Sequence, residues 1–509
     1  MVSWLENRLP INTREWTSVA RGFGVPVRRD PILQVGIAGL VGLFLGLYVL
    51  VFRSLPSKWA LLSLPIMLAP FAAMVFGQVR KLLLAAIILD IPLQLDINLA
   101  HREQVADLGA IEGLNVSLTT MALAVLYVLW LAEFLGRPPG ARSRLTLRTS
   151  LPLAFYLGFS VLSIVAAQDV QLSTFKIFML AQMFLLYTYI VSTVRTRQDV
   201  LFIVAMLLIG LALESLVMIG LRVTGSSIDA GVVVARIDDG ARVGGTVGGP
   251  NTAAGYLCLL LAPAMSVLLT QLGRFYKWLA ALAFGLGVIA MFFTLSRGGW
   301  IALALSIIVL CLLAWYRGWL SPTLLIIISI VALLLVVFFQ GIIVERLFGD
   351  DDGSADSRLP LMTVAYRMIM DNLVSGVGAN NFSIVMMQYA QLGITGFWFY
   401  VVHNKYLLVW AEIGTAGFAA FIWFLLASIR RGWQGWRLKD RVLSPLALGF
   451  AVAILGHAVH MFFDTFQNRP LVQLLWLNAA LITAMYNIGK NDLNYESKSL
   501  LELAAQGDK

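Results

Sequence analysis

Two arginines and one histidine stand in three short polar segments of a chain that is otherwise strongly apolar. The segments are residues 242–251 (R-V-G-G-T-V-G-G-P-N), residues 296–298 (S-R-G) and the pair His403 and Asn404. An arginine guanidinium can bind two phosphate oxygens at once, and histidine is the side chain best suited to accept a proton near neutral pH. These residue types predict a site that binds an anionic headgroup and moves a proton beside it.

Each of these segments also has a purely structural interpretation. The glycines and Pro250 are typical of a turn before a helix, although glycines also let backbone N–H groups approach a phosphate at a helix N-terminus. An arginine at a helix end, such as Arg297, often extends its charge to the membrane surface. A histidine near a membrane interface, such as His403, is often a hydrogen-bonded surface group. The residues alone leave both interpretations open.

The composition assigns the chain to the integral membrane proteins. Its 509 residues are 59% hydrophobic and only 13% charged, and apolar runs of roughly 17–25 residues, enough to cross a bilayer, recur along it. We predict an all-α integral membrane protein with about 14 (roughly 12–14) transmembrane helices and one large extracytoplasmic helical loop. The predicted spans are 32–52, 59–79, 82–95, 114–135, 150–166, 172–193, 200–221, 252–272, 278–295, 299–316, 321–341, 404–428, 445–463 and 470–487.

The third span, 82–95, differs from the others because it is short. It contains Asp90, Pro92 and Gln94, which is typical of a broken or re-entrant helix. Whether it crosses the membrane fully is left open by the sequence.

Lysine and arginine positions predict the orientation of the chain. They concentrate in alternate connections, above all 137–148 and 430–441, which places both termini in the cytoplasm and all three polar segments on the extracytoplasmic side. The net charge of +9 is then an orientation signal and an attraction to anionic membrane lipids. Nucleic acid is not an expected partner.

The predicted organisation is one helical membrane domain with loops of unequal length, and it shows no internal repeat of the kind found in many secondary transporters. Amphipathic patterns near 360–372 and 380–390 predict helices in the largest loop, and loops of this length tend to be functional. The predicted parts are a cytoplasmic segment 1–31, helices 1–11 over 32–341 with an outer loop 222–251, a large extracytoplasmic loop 342–403, helices 12–14 over 404–487, and a cytoplasmic tail 488–509.

Two further groups of side chains have types that can bind a metal ion or, for the cysteines, form a disulfide. His457, His460 and Asp464 follow an H-x-x-H-x-x-x-D pattern that predicts one helical face. Such a face suits a metal ion or, as we favour, a hydrogen-bonded lining of a cavity. Cys258 and Cys311 fall inside predicted helices, where a cysteine is typically a small core residue.

Acidic residues outside the three polar segments are further candidates for functional roles. Glu214 and Glu412 lie in or near spans, where charged groups usually face a cavity or a partner. The run at 350–352 consists of three aspartates in the large loop.

Five segments, in order along the chain, resemble the O-antigen ligase and polymerase superfamily. They are R-V-G-G-T-V-G-G-P-N at 242–251, S-R-G-G at 296–299, D-S-R-L-P-L-M-T-V-A-Y at 356–366, G-V-G-A-N-N-F at 376–382 and H-N-K-Y-L-L-V-W-A-E-I-G-T-A-G at 403–417. The resemblance covers roughly residues 240–470, and the first two hundred residues match only as generic membrane helices. Many relatives carry Asn where this chain has Gly249.

The resemblance implies a membrane glycosyltransferase of the all-helical type that uses polyprenyl-phosphate sugars. The donor would be a glycan on undecaprenyl diphosphate at the outer face of a bacterial inner membrane. Arg242 and Arg297 would bind the diphosphate, and His403 would take the proton of the acceptor hydroxyl as the anomeric centre inverts. Other substrate-binding residues implied by position are Asn251, Arg358 and Asn404, with Glu412 in a supporting role.

The same resemblance implies that no metal or other cofactor is needed, since two arginines would neutralise the diphosphate; the acidic run 350–352 is the feature most at odds with this. The partners would be the undecaprenyl-diphosphate glycan, an acceptor glycan, glycolipid or protein, and membrane lipids. The acceptor stays open between a ligase, an O-antigen or exopolysaccharide polymerase, and a protein O-oligosaccharyltransferase. A lipid-linked-glycan flippase or solute transporter is a different class that many helices would also suit, but the large outer loop and the lack of repeats argue against it.

Overall fold

The computed structural model describes residues 78–136, 150–231, 233–238, 241–338, 340–341, 344, 358–390 and 400–507. The predicted N-terminal segment 1–31, the span 32–52, nearly all of the span 59–79 and the acidic run 350–352 lie outside the described residues.

Helices make up most of the described chain. They are α1 (Val79–Leu93), α2 (Glu103–Ala106), α3 (Leu118–Gly136), α4 (Leu151–Leu162), α5 (Val170–Thr193), α6 (Arg197–Thr224), α7 (Pro250–Leu268), α8 (Arg274–Phe293), α9 (Arg297–Tyr316), α10 (Pro322–Phe338), α11 (Arg358–Asp371), α12 (Phe382–Tyr389), α13 (Lys405–Trp436), α14 (Leu443–His460) and α15 (Arg469–Gly507). A single 3-10 turn, Ser163–Ala166, continues α4.

Eight of the described helices are long and apolar enough to cross a membrane, judged by length and composition. They are α5 to α9, α13, α14 and the Arg469–Asn491 part of α15. Shorter apolar helices, Leu118–Leu131 and Leu151–Ala166, fall on the predicted spans 114–135 and 150–166. The predicted helical membrane protein is confirmed, and the count of about 14 spans stays a prediction.

Two small antiparallel sheets are the main departure from the all-α prediction. β1 (Asp96–Leu99) pairs with β2 (Leu114–Ser117), and β3 (Ile228–Asp229), β4 (Val234–Asp238) and β5 (Arg242–Gly245) form a three-stranded sheet. Both sheets lie in connections between helices, where strand pairing satisfies the N–H and C=O groups of an extended backbone. The second sheet fills most of the predicted outer loop 222–251.

The predicted third span is the 15-residue helix α1. It ends because Gln94 takes a left-handed conformation, with φ of 49°, and because Asp90 turns back on the chain. The Asp90 carboxylate accepts the backbone N–H groups of Leu95 and Thr119, each at 3.0 Å. The polar residues that mark this span as irregular therefore terminate the helix.

Small residues let the central helices approach closely. A Cβ atom at Gly449 of α14 would lie 2.2 Å from the hydroxyl of Ser266 on α7, and one at Gly456 would lie 2.0 Å from the hydroxyl of Ser306 on α9. Small residues at helix contacts are typical of membrane proteins, where packing rather than the hydrophobic effect holds helices together. These contacts place α14 between α7 and α9.

The large loop that precedes α13 contains both predicted helices, as α11 and α12. Together with the chain before α13 and the first turns of α13, they enclose a hydrophobic core separate from that of the bundle. Its fully buried members include Ala365, Met368, Phe382, Val402 and Leu408.

The helix α13 is broken at Gly414, which has a φ of 70°. Near this break the large loop hydrogen-bonds to the backbone of α13. The N–H groups of Val377 and Gly378 donate to the carbonyls of Ala411 and Glu412, each at 2.9 Å. The large loop is therefore docked backbone to backbone on the first turns of α13.

Candidate active site

His403 lies at the junction between the large loop and α13. The next residue, Asn404, caps α13: its side-chain oxygen accepts the N–H groups of Tyr406 at 3.0 Å and Leu407 at 3.1 Å. The N–H of Asn404 also donates to the carbonyl of Val402 at 2.7 Å. A cap satisfies N–H groups that the first helical turn leaves open, so His403 is held by a fixed backbone. The substrate-binding role of Asn404 stays a prediction.

Charged and aromatic groups surround the His403 ring. The centroid of the Tyr400 ring lies 5.1 Å from that of the imidazole. Burial lowers the pKa of His403; the Asp464 carboxylate opposes this shift and the Arg358 guanidinium adds to it. The imidazole is therefore neutral near pH 7 and able to accept a proton. The structure brings the predicted pair Arg358 and His403 together, and Asp464 is a neighbour that sequence reasoning placed elsewhere.

The glycine segment 242–251 is held by a buried carboxylate. Glu214 of α6 accepts the N–H of Thr246 at 2.8 Å, and the Thr246 hydroxyl contacts the same carboxylate. At the two ends of the segment, the Arg242 guanidinium donates to the side-chain oxygen of Asn251 at 3.4 Å. The predicted pair Arg242 and Asn251 is thus brought together, and Glu214 positions the turn between them.

Close packing requires glycine at two positions of this segment and not at a third. Gly245 has a φ of +69°, and a Cβ there would lie 2.1 Å from a carboxylate oxygen of Glu214. A Cβ at Gly244 would lie 2.0 Å from the carbonyl oxygen of Gly248. Gly249 has an ordinary φ of −73° and nothing within 4 Å of its Cβ position. The backbone therefore folds tightly beside the N-terminus of α7, an end of a helix that favours anions.

Arg297 is the first residue of α9 and directly follows the capping residue Ser296. The Ser296 hydroxyl accepts the N–H of Gly299 at 3.3 Å. Next to Arg297, Gly298 packs so closely on Phe463 that a Cβ at this glycine would lie 3.1 Å from the Phe463 Cβ. Arg297 therefore adds its charge to the positive end of a second helix dipole.

One loop, residues 461–468, contacts all three polar segments. At its start the carbonyl of Met461 accepts the N–H of Lys405 at 2.9 Å, and at its end the side chain of Asn468 donates to the carbonyl of Val247 at 3.4 Å. Between these contacts lies Phe463, which packs on the start of α9. The next residue is Asp464, whose carboxylate acts electrostatically on the His403 imidazole. The three segments singled out in the sequence therefore meet around this loop.

Glu412 lies in the interior of the bundle. It forms an ion pair with Lys176 of α5, and both side chains are almost inaccessible. The carboxylate is thus engaged by an ammonium group, which leaves Glu412 in a supporting role. Lys176 stands 236 residues away in the chain, so no local pattern could have revealed the pair.

The prediction that His457, His460 and Asp464 share one helical face is wrong, because α14 ends at His460. Asp464 lies in the following loop, where its carboxylate accepts the N–H of Thr465 at 2.6 Å. The two histidines are buried and both rings contact Phe466, with centroids 4.7 and 4.6 Å apart. In the described part of the chain, no group of three or more His, Cys, Asp or Glu could hold a metal ion.

A comparison with known families adds to this geometry. Residues 282–422 match the family model described as O-antigen ligase. This segment is an O-antigen ligase domain. The match supports the resemblance of the chain to the O-antigen ligase and polymerase superfamily. No curated protein matches the chain.

The O-antigen ligase domain is shorter than the stretch of roughly 240–470 indicated by the motifs. It contains most of the predicted site residues, but the glycine segment precedes it and the loop 461–468 follows it. Contacts in the structure connect these outlying parts to the domain. The predicted residues inside it are Arg297, Arg358, His403, Asn404 and Glu412.

Proposed function

We propose that this protein transfers a glycan from undecaprenyl diphosphate to an acceptor hydroxyl, on the extracytoplasmic face of a bacterial inner membrane. One observation carries the proposal: the loop 461–468 joins the glycine segment with Arg242 to the Arg297 and His403 segments of the matched O-antigen ligase domain. Grouped cations suit a lipid diphosphate, and a neutral imidazole suits the removal of a hydroxyl proton. The chain would be multi-pass, with both termini in the cytoplasm.

In the proposed reaction the acceptor oxygen attacks the anomeric carbon from the face opposite the diphosphate. The new carbon–oxygen bond forms as the bond to the phosphate oxygen breaks, so the anomeric centre inverts. The imidazole of His403 takes the hydroxyl proton, and Asp464 is a positioning residue that stabilises the resulting imidazolium. Arg242 and Arg297 stabilise the charge that grows on the departing undecaprenyl diphosphate. Asn251 and Arg358 are proposed as further substrate contacts.

The acceptor separates the related alternatives. A ligase transfers to a lipid-linked core glycan, a polymerase to a second lipid-linked repeat, and a protein O-oligosaccharyltransferase to a protein hydroxyl. A flippase or transporter would move the lipid-linked glycan without forming a new bond. Against that class stands the docked outer loop, which fixes His403 at the start of α13 through the Asn404 cap.

The decisive experiment is His403→Ala in purified protein, supplied with lipid-linked glycan and candidate acceptors. We expect transfer to fall by roughly 100-fold or more, while donor binding and the melting temperature in detergent stay near the wild-type values. The matched control is His101→Ala, because the His101 side chain is 47% exposed in the outer hairpin and has no proposed role. Full transfer by His403→Ala would remove the base from the mechanism, and wild-type protein that moves glycan but never joins it would support a transporter.

Orientation and metal independence need separate tests. Single cysteines placed beside Arg242, Arg297 and His403 should react with an impermeant reagent in intact cells, and labelling that requires permeabilised cells would contradict the proposed topology.

Glycan transfer should also survive chelation of metal ions by EDTA. Loss of activity with EDTA, followed by recovery with Mg²⁺ or Mn²⁺, would instead direct attention to the acidic run 350–352.

A further inference from the structure

A small cavity lies in the bundle interior, beside the first turn of α13. Its polar lining is formed by Tyr156, Lys176, Lys405, His457 and Gln467, and the rest of the wall is apolar. Its volume is about 20 Å³, enough for one or two atoms of the size of a water oxygen. Neither lysine takes part in the proposed glycan transfer.

Lys405 is the most unusual group in this wall. Its side chain is almost inaccessible, and its ammonium group forms no ion pair or hydrogen bond with any described residue, whereas the Lys176 ammonium pairs with the Glu412 carboxylate. Lys405 is also the first residue of α13, where the positive end of the helix dipole repels an ammonium group. A buried cation in this position lacks the contact anion that such a group needs.

Two other polar groups of the wall share this deficit. Both ring nitrogens of His457 and the side-chain oxygen of Gln467 are buried without a hydrogen-bond partner. Buried polar atoms are almost always hydrogen-bonded in native proteins, so three unsatisfied atoms on one small cavity indicate a ligand. The His457 ring is fully buried, which rules out satisfaction by bulk water.

The chemistry of the wall indicates the charge of that ligand. Lys176 is engaged by Glu412, and the wall also holds acceptors in the Gln467 side-chain oxygen and one nitrogen of the neutral imidazole. Donors still outnumber these acceptors, because the Lys405 ammonium offers three N–H bonds and the tyrosine hydroxyl and the imidazole one each. The fields that act on Lys405 come from Lys176, Glu412 and Asp464, and Glu412 is engaged by Lys176. Water can accept some of these hydrogen bonds but brings no charge to compensate the Lys405 ammonium.

We propose that this cavity binds one small monovalent anion of chloride size, held by Lys405 with donors from His457 and Tyr156. The small volume excludes phosphate, carboxylate metabolites and the glycan substrates. The anion would fix the Lys405 side chain and thereby the first turn of α13. This inference does not depend on the proposed glycan transfer, because the site is defined by its own wall and is tested by stability.

The first test compares melting temperatures of purified protein in sodium chloride and in sodium gluconate at equal ionic strength. A ligand that binds only the folded state stabilises it by mass action, so we expect chloride to raise the wild-type melting temperature by roughly 2–4 °C. Bromide should act like chloride. Lys405→Gln should abolish the difference between the two salts, and Lys439→Gln, at an exposed lysine, should retain it.

The second test works even if the Lys405 variant fails to fold. Crystals of wild-type protein grown in sodium bromide should show an anomalous scattering peak within hydrogen-bond distance of the Lys405 ammonium. Equal melting temperatures in chloride and gluconate together with no bromide peak in the cavity would overturn the proposal. A chloride effect that persists in Lys405→Gln would also overturn it, because the responsible site would then lie elsewhere.

Discussion

Two buried charge clusters in this protein differ in how completely their groups are paired. In the first, Arg469 at the start of α15 contacts Asp90 at 3.0 Å, Asp96 at 2.9 Å and the side-chain oxygen of Gln473 at 2.8 Å. In the second, Glu412 and Lys176 pair while Lys405 faces a cavity. The first joins two distant parts of the chain, and the second lies beside the candidate active site.

The difference indicates what each cluster does. A buried polar network that is fully satisfied makes the surrounding structure rigid, and removal of one member leaves the others as costly unpaired charges. A network with unsatisfied members can still bind a ligand. The closed cluster around Arg469 should therefore govern stability, and the open groups near His403 should govern binding and chemistry.

The largest expected effect comes from breaking the closed cluster. Arg469→Leu leaves the buried Asp90 and the partly buried Asp96 without their cation, and we expect a loss of about 3–5 kcal/mol in the free energy of unfolding. Thermal or denaturant unfolding in detergent measures it. The control is Arg80→Leu, because the Arg80–Glu133 pair is 41% and 30% exposed and exposed pairs contribute at most about 1 kcal/mol. Equal losses in both variants would end the distinction between the clusters.

Conservative changes at the two site arginines should lower activity without lowering stability, which is the reverse of the effect expected for Arg469→Leu. Lysine keeps the charge of Arg242 or Arg297 but loses the planar, two-pronged geometry that matches a diphosphate. We expect glycan transfer to fall on the order of 100-fold in each variant, with the melting temperature close to that of the wild type. Transfer assays and melting curves on the same preparations test this, and normal transfer in both variants would reduce the arginines to membrane-interface anchors.

The pH dependence of transfer should sharpen the role assigned to His403. Burial lowers the pKa of this imidazole, so it stays neutral down to a pH below about 6.5, the ordinary histidine value. Transfer should therefore decline only below that pH. Asp464 raises the pKa of His403, so Asp464→Asn should move the decline to still lower pH, and a decline that moves upward would contradict the assignment.

The smallest effect is expected at Gly249. Its φ is ordinary and its Cβ position is open, so Gly249→Asn should change stability by no more than about 0.5 kcal/mol. The contrasting variant is Gly245→Ala, because a Cβ there meets Glu214 at 2.1 Å and the φ is +69°. Melting curves of the two variants test this difference, and we expect a clear loss of stability only for Gly245→Ala. Equal losses of stability in both variants would contradict the prediction that Gly249 can be replaced.

The sequence was informative where a property repeats along the chain or stands in a contiguous motif. Apolar runs predicted the membrane helices, and amphipathic patterns predicted α11 and α12 inside the large loop. The three polar segments were visible because each is short and unusual in apolar surroundings. The motif order also indicated the family to which residues 282–422 belong.

Pairings between distant residues could not be predicted in this way. Asp90 and Arg469 stand 379 residues apart, and each alone only marks an irregular helix or a loop cation. Asp464 was assigned to a helical face because nothing local shows that α14 ends at His460. The two small sheets escaped prediction because their strands are only two to five residues long.

The break at Gly414 has a consequence for biosynthesis. Carbonyl groups inside a lipid bilayer must find partners, and those of Ala411 and Glu412 accept hydrogen bonds from Val377 and Gly378 of the large loop. The first turns of α13 therefore gain these hydrogen bonds only after that loop has docked. The glycine thus imposes an order on folding, because the large loop must dock before the start of α13 reaches its final position.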